Sequence, residues 1–288
     1  MSDVLVVGCG YLGRRVAAQQ LAAGRRVFAT TRSPHRAEEF QRLGLEPVHC
    51  DVLEPDSLIV LPAATDIVYC VGFDRMARRD MRTVYVDGLA NVLSALSVQG
   101  NEPSALRRFV YVSSTGVYSH SNGEQVDEKA ATEPAAEPGR IALDAERLLR
   151  ERRPDAMILR FAGIYGPRRL IREKAVRGGE ALSGDPEQWL NLIHVEDGAT
   201  AVAAALERGR LGRIYNICDD HPVRRREFYT RMAEVLGAPT PWFPLAVTEP
   251  LADRVNRRIV NRRMRKELDV SLRYPSYQLG LPASVDAL

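Results

Sequence analysis

Lysine is almost missing from this chain: of 40 basic residues only Lys129, Lys174 and Lys266 are lysines. Positive charge therefore rests on arginine, which stays ionised and pairs through a planar fork of donors. Cysteine is scarce as well. Cys9, Cys50, Cys70 and Cys218 lie far apart and form no CxxC. With the five histidines they give no zinc-ligand spacing, so no metal site is expected. Free thiols in a reducing compartment are the expectation. No apolar run approaches the ~20 residues needed to cross a bilayer. A strand pattern begins within three residues of the first Met, leaving no room for a leader. These absences point to a cytoplasmic protein without a membrane partner. The net charge of +3 is small for 288 residues. No basic tract is interleaved with aromatics, which argues against a nucleic-acid partner. The locally basic stretch from Asp253 to Lys266 reads as a solvated helix or loop face. A chain of this length buries about 75% of its unfolded surface and needs no staples.

What is present begins at once. Val4-Leu5-Val6-Val7 leads into Gly8-Cys9-Gly10-Tyr11-Leu12-Gly13, and Val16, Ala17, Leu21 and Ala22 then recur at helical spacing. Strand, glycine turn and helix in this order make a dinucleotide-binding unit. Gly8 allows the tight turn, Gly10 leaves room for a pyrophosphate, and Gly13 lets the helix pack on the sheet. The loop from Gly8 to Gly13, including Tyr11 and Leu12, offers backbone N–H groups at a helix N-terminus. The second strand, Arg26–Thr30, ends in Thr31-Arg32-Ser33. An NAD site expects a carboxylate in this zone for the ribose 2′-hydroxyl. Here there is none, and Arg32, with hydroxyls from Thr31 and Ser33, suits a 2′-phosphate. NADP is favoured, with NAD as the alternative.

Strands alternate with helices through residue 160. Strands are expected at 46–50, 66–70, 108–112 and 156–159, and helices at 34–43, 76–98 and 134–152. This is an α/β pattern, a doubly wound parallel sheet with right-handed crossovers. Ligands then sit at the carboxyl ends of the strands. Those ends carry Asp51 and Val52, Val71 and Gly72, Ser113 and Ser114, and Arg160-Phe161. Beyond Gly166-Pro167 the alternation becomes irregular. Strands are expected at 190–193 and 213–217, helices at 196–207, 223–236 and 261–268, and an aromatic turn at 274–277. The division is residues 1–165 for the dinucleotide and 166–288 as a C-terminal substrate region, packed on the first and partly interleaved with it.

Five stretches occur in a telling order: Gly8–Gly13, Tyr111-Val-Ser-Ser-Thr-Gly-Val-Tyr118, Leu159-Arg-Phe-Ala-Gly-Ile-Tyr-Gly-Pro167, Asn191-Leu-Ile-His-Val-Glu-Asp197 and Tyr215-Asn-Ile-Cys-Asp-Asp220. With them the chain resembles the extended and atypical short-chain dehydrogenase/reductase superfamily, in its NAD-dependent epimerase/dehydratase-like branch. The resemblance covers nearly the whole chain. It implies a Rossmann-like sheet with a small C-terminal substrate-binding region, an NAD(P) cofactor, and dimerisation through the helices after the fourth and fifth strands. One departure lies in the glycine loop, where Val7 stands in place of the family's first glycine.

A second departure bears on chemistry. The resemblance implies a hydroxyl at Ser114 and a Tyr-x-x-x-Lys on the following helix, the Tyr as general acid/base and the Lys lowering its pKa. Those two positions fall on Pro138 and Ala142. Residues four before the three lysines are Gln125, Leu170 and Arg262, so the chain has no Tyr-x-x-x-Lys. Ser114, Tyr118 and Tyr165 are the candidate catalytic residues, with Arg140 as a further substitute. His194 reads as a structural hydrogen-bonding residue, Asp197 as a cap for the helix that follows it, and Glu124, Asp127 and Glu128 as an acidic solvated loop. Two functions follow. One is an NADP-favouring oxidoreductase or epimerase-like enzyme that transfers a hydride on a carbonyl or hydroxyl, possibly nucleotide-sugar-like, small-molecule substrate. The other is a non-catalytic NADP(H)-binding sensor or regulatory protein.

Overall fold

The computed structural model describes residues 3–74, 78–98, 107–244 and 255–286. Seven strands form the central sheet: β1 (Val4–Val7), β2 (Val27–Thr31), β3 (Glu46–His49), β4 (Asp66–Tyr69), β5 (Arg108–Ser114), β6 (Met157–Phe161) and β7 (Ile214–Ile217). Their order across the sheet is β7-β6-β5-β4-β1-β2-β3, and every neighbouring pair is parallel. The chain starts at β1, steps outward to β2 and β3, then crosses back to β4 and continues to β7. Direction therefore reverses between β1 and β4. Loops leave the two strands to opposite sides there, which opens a crevice at their carboxyl ends.

Alternation along each strand feeds two cores. Val4, Val6, Val110 and Leu159 face α1 (Gly13–Ala22), α2 (Pro34–Arg42) and α5 (Val195–Arg208). Leu5, Val7, Ile67, Phe109 and Ile158 face α3 (Gly88–Val98) and α4 (Glu137–Arg152). Helices on both faces explain why β1, β4 and β6 are buried along their whole length. Each fully buried Val, Leu or Ile in them contributes about 1.5–3 kcal/mol. The doubly wound Rossmann-like α/β architecture expected from the strand–helix alternation is the one observed.

The second half departs more from expectation. The strand expected at 190–193 is two short pieces, Trp189–Leu190 and Leu192–His194. Asn191 breaks it, because its side chain donates to the Arg257 carbonyl (2.9 Å) and accepts from the Ile259 N–H (2.6 Å). The first piece pairs with Val223–Arg224 and the second with Gly163–Tyr165. The basic stretch is not a solvated face. Arg257–Ile259 is a strand parallel to Glu124–Val126, and Arg257 is buried, donating to the Thr115 carbonyl at 2.7 Å. Two helices, α6 (Arg225–Leu236) and α7 (Tyr277–Asp286), enclose Tyr165, Leu182 and Phe228 in a separate apolar cluster. α7 was not expected; it follows directly on the aromatic turn at 274–277, and Pro282 inside it masks the helical pattern.

One ionic network fixes the carboxyl ends of β5 and β6. Arg160 on β6 donates to both carboxylate oxygens of Glu146 on α4, at 3.0 and 2.6 Å, with both side chains almost fully buried. The Ser113 hydroxyl donates to the same carboxylate at 2.6 Å. Arg160 also donates to the Tyr118 hydroxyl, which donates in turn to Asn216 on β7, each at 2.9 Å. α4 is thus tied to three strands through charges that water does not reach. Replacing Arg160 by Met strands the Glu146 carboxylate in the core. Urea unfolding of Arg160→Met should show a loss of about 3–5 kcal/mol, and a variant within 1 kcal/mol of the parent would mean that the network relaxes to solvent.

Candidate functional site

The crevice between β1 and β4 opens into a cleft of about 710 Å³. Its floor is the glycine loop, and two of the three glycines have no room for a side chain. Gly8 has φ +86°, and a Cβ on it would stand 2.6 Å from the Val71 backbone. Gly13 touches the Gly8 carbonyl and the Cys70 sulfur, so α1 seats directly on the sheet. Gly10 differs: a Cβ there would meet only the Gly8 carbonyl oxygen, at 4.0 Å. The space above Gly10 is cleft. α1 starts with no side-chain cap and no acidic residue in its first turn. Its N-terminal positive end is left for an anion.

One end of the cleft lies at the close of β2. Thr31, Arg32, Asp51, Val52, Val71 and Gly72 line it, as their strand-end positions predict. The Thr31 hydroxyl accepts from the Ser33 N–H at 3.1 Å. The Ser33 hydroxyl accepts from the Arg36 N–H at 3.4 Å and caps α2, so it braces the turn instead of lining the cleft. Arg32 lies 3.7 Å from the Asp51 carboxylate, with Arg79 at 3.9 Å on the same oxygen. Arg36 and Arg79, which the sequence reading did not single out, are also in the walls. Arg36 was legible in principle: it sits one helical turn past Ser33, on the face that looks back at the strand end.

The other end lies beyond β5. Ser113 and Ser114 line it. Ser113 is committed to Glu146, whereas the Ser114 oxygen accepts from the Gly116 N–H at 3.0 Å and keeps its hydroxyl proton for a ligand. Pro138 and Ala142 also form wall. The two remaining catalytic candidates face elsewhere. Tyr118 is fully buried, and both functions of its hydroxyl are spent between Arg160 and Asn216. Burial pushes its pKa up. Tyr165 is also fully buried, set edge-on to His194 and Phe228 in the C-terminal cluster. A residue just past a strand end can turn to either side; pairing of Gly163–Tyr165 with Leu192–His194 turns Tyr165 away from the cleft. Arg140 donates to the Ala135 carbonyl and stays at the surface.

A tyrosine does line the cleft where none was expected. Tyr85 lies on a π-helical turn, Thr83–Asp87, that runs into α3. Such turns are frequent at functional sites. The Tyr85 oxygen accepts from the Phe73 N–H at 3.1 Å. Among the described residues its own O–H donates to nothing. Met76, where the helical pattern was expected to begin, lies outside the described residues.

Three neighbouring polar residues are structural. Nδ1 of His194 accepts from the Glu196 N–H at 3.3 Å and caps α5. Burial, with Arg15 and Arg273 nearby, lowers its pKa to about 4, so it is neutral. Asp197 does not cap α5 as expected. Its two oxygens accept the N–H groups of Arg273 (2.7 Å) and Tyr274 (2.8 Å), anchoring the C-terminal segment. Glu128 is no solvated loop residue; it is buried and accepts from the Asn216 N–H at 2.9 Å. Cysteine offers no nucleophile, since burial pushes Cys9 to about 12 and Cys50 to about 11. Among the described residues no three His, Cys, Asp or Glu side chains could hold a metal ion. No helix among them is long and apolar enough to cross a membrane.

Known proteins share this arrangement. Protein YeeZ of Escherichia coli K12 is 29% identical over 254 residues, which cover 84% of this chain and 87% of YeeZ. A conserved protein of unknown function from Silicibacter pomeroyi superposes with a TM-score of 0.80 at 32% identity, covering 100% of this chain and 99% of that one. The UDP-glucuronic acid 4-epimerase of Bacillus cereus, solved in complex with NAD, reaches a TM-score of 0.79 at 18% identity, a likeness of fold over 99% of this chain and 98% of that one. The model of the NAD dependent epimerase/dehydratase family matches residues 4–218, from β1 to the end of β7, and the chain belongs to that family.

Proposed function

We propose that the protein is an NADP(H)-dependent oxidoreductase or epimerase-like enzyme, acting on a small, nucleotide-sugar-like carbonyl or hydroxyl substrate. The observation that carries the cofactor choice is the arginine pair at the end of β2. Arg32 and Arg36 stand in the cleft wall where an NAD site would place a carboxylate. Asp51 at 3.7 Å from Arg32 occupies the guanidinium meanwhile. A 2′-phosphate carries more charge and offers bidentate geometry, and would take that arginine over.

The bound dinucleotide would supply or accept the hydride. The chain's own residues supply binding and the proton. The N-terminus of α1 and the open space over Gly10 take the pyrophosphate. Ser114 donates its hydroxyl to the substrate oxygen. Tyr85 is the group we assign as acid. When a carbonyl carbon receives hydride, the carbonyl pair collapses onto oxygen, and that oxygen takes the Tyr85 proton. The phenolate regains a proton from water. The Phe73 N–H on the Tyr85 oxygen supports that phenolate by a charge-assisted hydrogen bond. Tyr111 on β5 also borders the cleft, but it is buried and stacked on Tyr69.

Three substitutions test this reading. Gly10→Val should leave the fold intact, because its Cβ finds open space, yet abolish binding of both NADPH and NADH in calorimetry. Arg32→Ala should weaken NADPH by roughly tenfold or more and leave NADH nearly unchanged, as loss of a charged hydrogen bond predicts; equal losses would refute the NADP assignment. Tyr85→Phe should lower the rate of NADPH oxidation by roughly 10²- to 10⁴-fold with NADPH affinity unchanged. Undiminished turnover would return the acid role to Ser114 or to water. An absence of turnover in the parent chain, with tight NADPH binding, would make it a cofactor-binding sensor.

A further inference from the structure

The residues Gly166 to Arg169 form a tight turn over the glycine loop. The N–H of Arg169 donates to the Gly166 carbonyl at 3.0 Å, and the N–H of Gly166 to the Arg169 carbonyl at 3.2 Å. Between them Arg168 takes φ +64°, a left-handed conformation that is costly for a non-glycine residue. The turn is stapled down, since the Tyr11 hydroxyl donates to the Pro167 carbonyl at 3.0 Å. A Cβ on Gly166 would lie 2.8 Å from that hydroxyl and 2.7 Å from Val195. The chain has thus been brought as close to the loop as backbone allows.

The turn delivers one side chain to the cleft, Arg169. Its guanidinium lies over the Tyr11 ring, 5.2 Å from the centroid. Arg15 also lies over this ring, at 4.4 Å, but is accounted for: it pairs with Glu196 and donates to the Tyr11 carbonyl at 2.8 Å. Arg169 makes no side-chain hydrogen bond or ion pair among the described residues. The Tyr11 ring restricts where its fork can go. Next to it are Gly10, open to the cleft, and the uncapped start of α1. Two positive features therefore face one space.

We propose that Arg169 is an anion receptor that closes on the dinucleotide pyrophosphate from the side opposite the glycine loop. The proposal rests on the dinucleotide reading above and extends it. Phosphates would lie between the N–H groups of β1's loop and a guanidinium from the turn after Gly163–Tyr165. Tyr11 is the shared support of both.

The test is calorimetric titration of the full chain with NADPH, NADH and adenosine 2′-monophosphate, which lacks the pyrophosphate. Arg169→Gln should weaken both dinucleotides by the same factor, roughly ten- to a hundredfold, the range for a charged hydrogen bond. Adenosine 2′-monophosphate should bind as before, and Arg169→Lys should recover part of the loss. Arg169 is exposed, so an unchanged thermal midpoint of the free variant verifies its fold. Unchanged dinucleotide affinity in Arg169→Gln overturns the proposal alone, and a raised KM for an anionic substrate in that case would assign the receptor to substrate. Loss of adenosine 2′-monophosphate binding as well overturns it too. A parent chain that binds neither dinucleotide defeats the underlying reading.

Discussion

Glu146 and Arg160 meet without water, and the rest of the site is arranged around that meeting. An ion pair in the core gives little net stability, because desolvation offsets most of the attraction. Its effect here is geometric. The carboxylate takes two bonds from Arg160 and one from Ser113, so α4, β5 and β6 have one permitted mutual position. Arg160 then fixes Tyr118, and Tyr118 fixes Asn216 on β7. Ser114 projects into the cleft from the strand residue next to Ser113. The Ser114 hydroxyl is held in place by its neighbour's bond to Glu146.

The two ends of the cleft differ in kind. The β2 end is rich in exposed charge, with Arg32 and Arg79 near the Asp51 carboxylate and Arg36 also in the wall. The β5 end is apolar, walled by Pro138 and Ala142, with Ser114 and Tyr85 as hydroxyls. A charged nucleotide tail at one end and a poorly solvated reacting centre at the other fit this division. Exclusion of water strengthens each remaining hydrogen bond at the apolar end.

The first half of the molecule was readable because its signals are local. β1, the glycine loop and α1 are contiguous, and Gly8 and Gly13 carry the turn and packing roles that their places in the motif implied. Arg32, Asp51, Val71, Gly72 and Ser114 followed from strand ends alone. What escaped depends on direction or distance. Tyr118 and Tyr165 stand beside the cleft in sequence, yet their side chains turn inward. Tyr85 reaches the cleft through a π-helical turn, which leaves no trace in a hydrophobic period. Glu128 and Arg257 look like surface charges in a loop, but partners far along the chain bury them. Strands of two or three residues, such as Trp189–Leu190, are too short to show alternation at all.

Arg257 reaches back 142 positions to hold the Thr115 carbonyl, directly beside Ser114. The strand it belongs to pairs with Glu124–Val126, and Asp197 waits for the N–H groups of residues 273 and 274. A chain emerging from the ribosome can assemble the glycine loop and the first βα unit from its earliest residues. The β5 end of the cleft, by contrast, stays unfinished until residue 257 has been translated. The two ends of the cleft are therefore completed at different times during synthesis, and a chain cut before residue 257 would lack the contact that braces the Thr115 carbonyl beside Ser114.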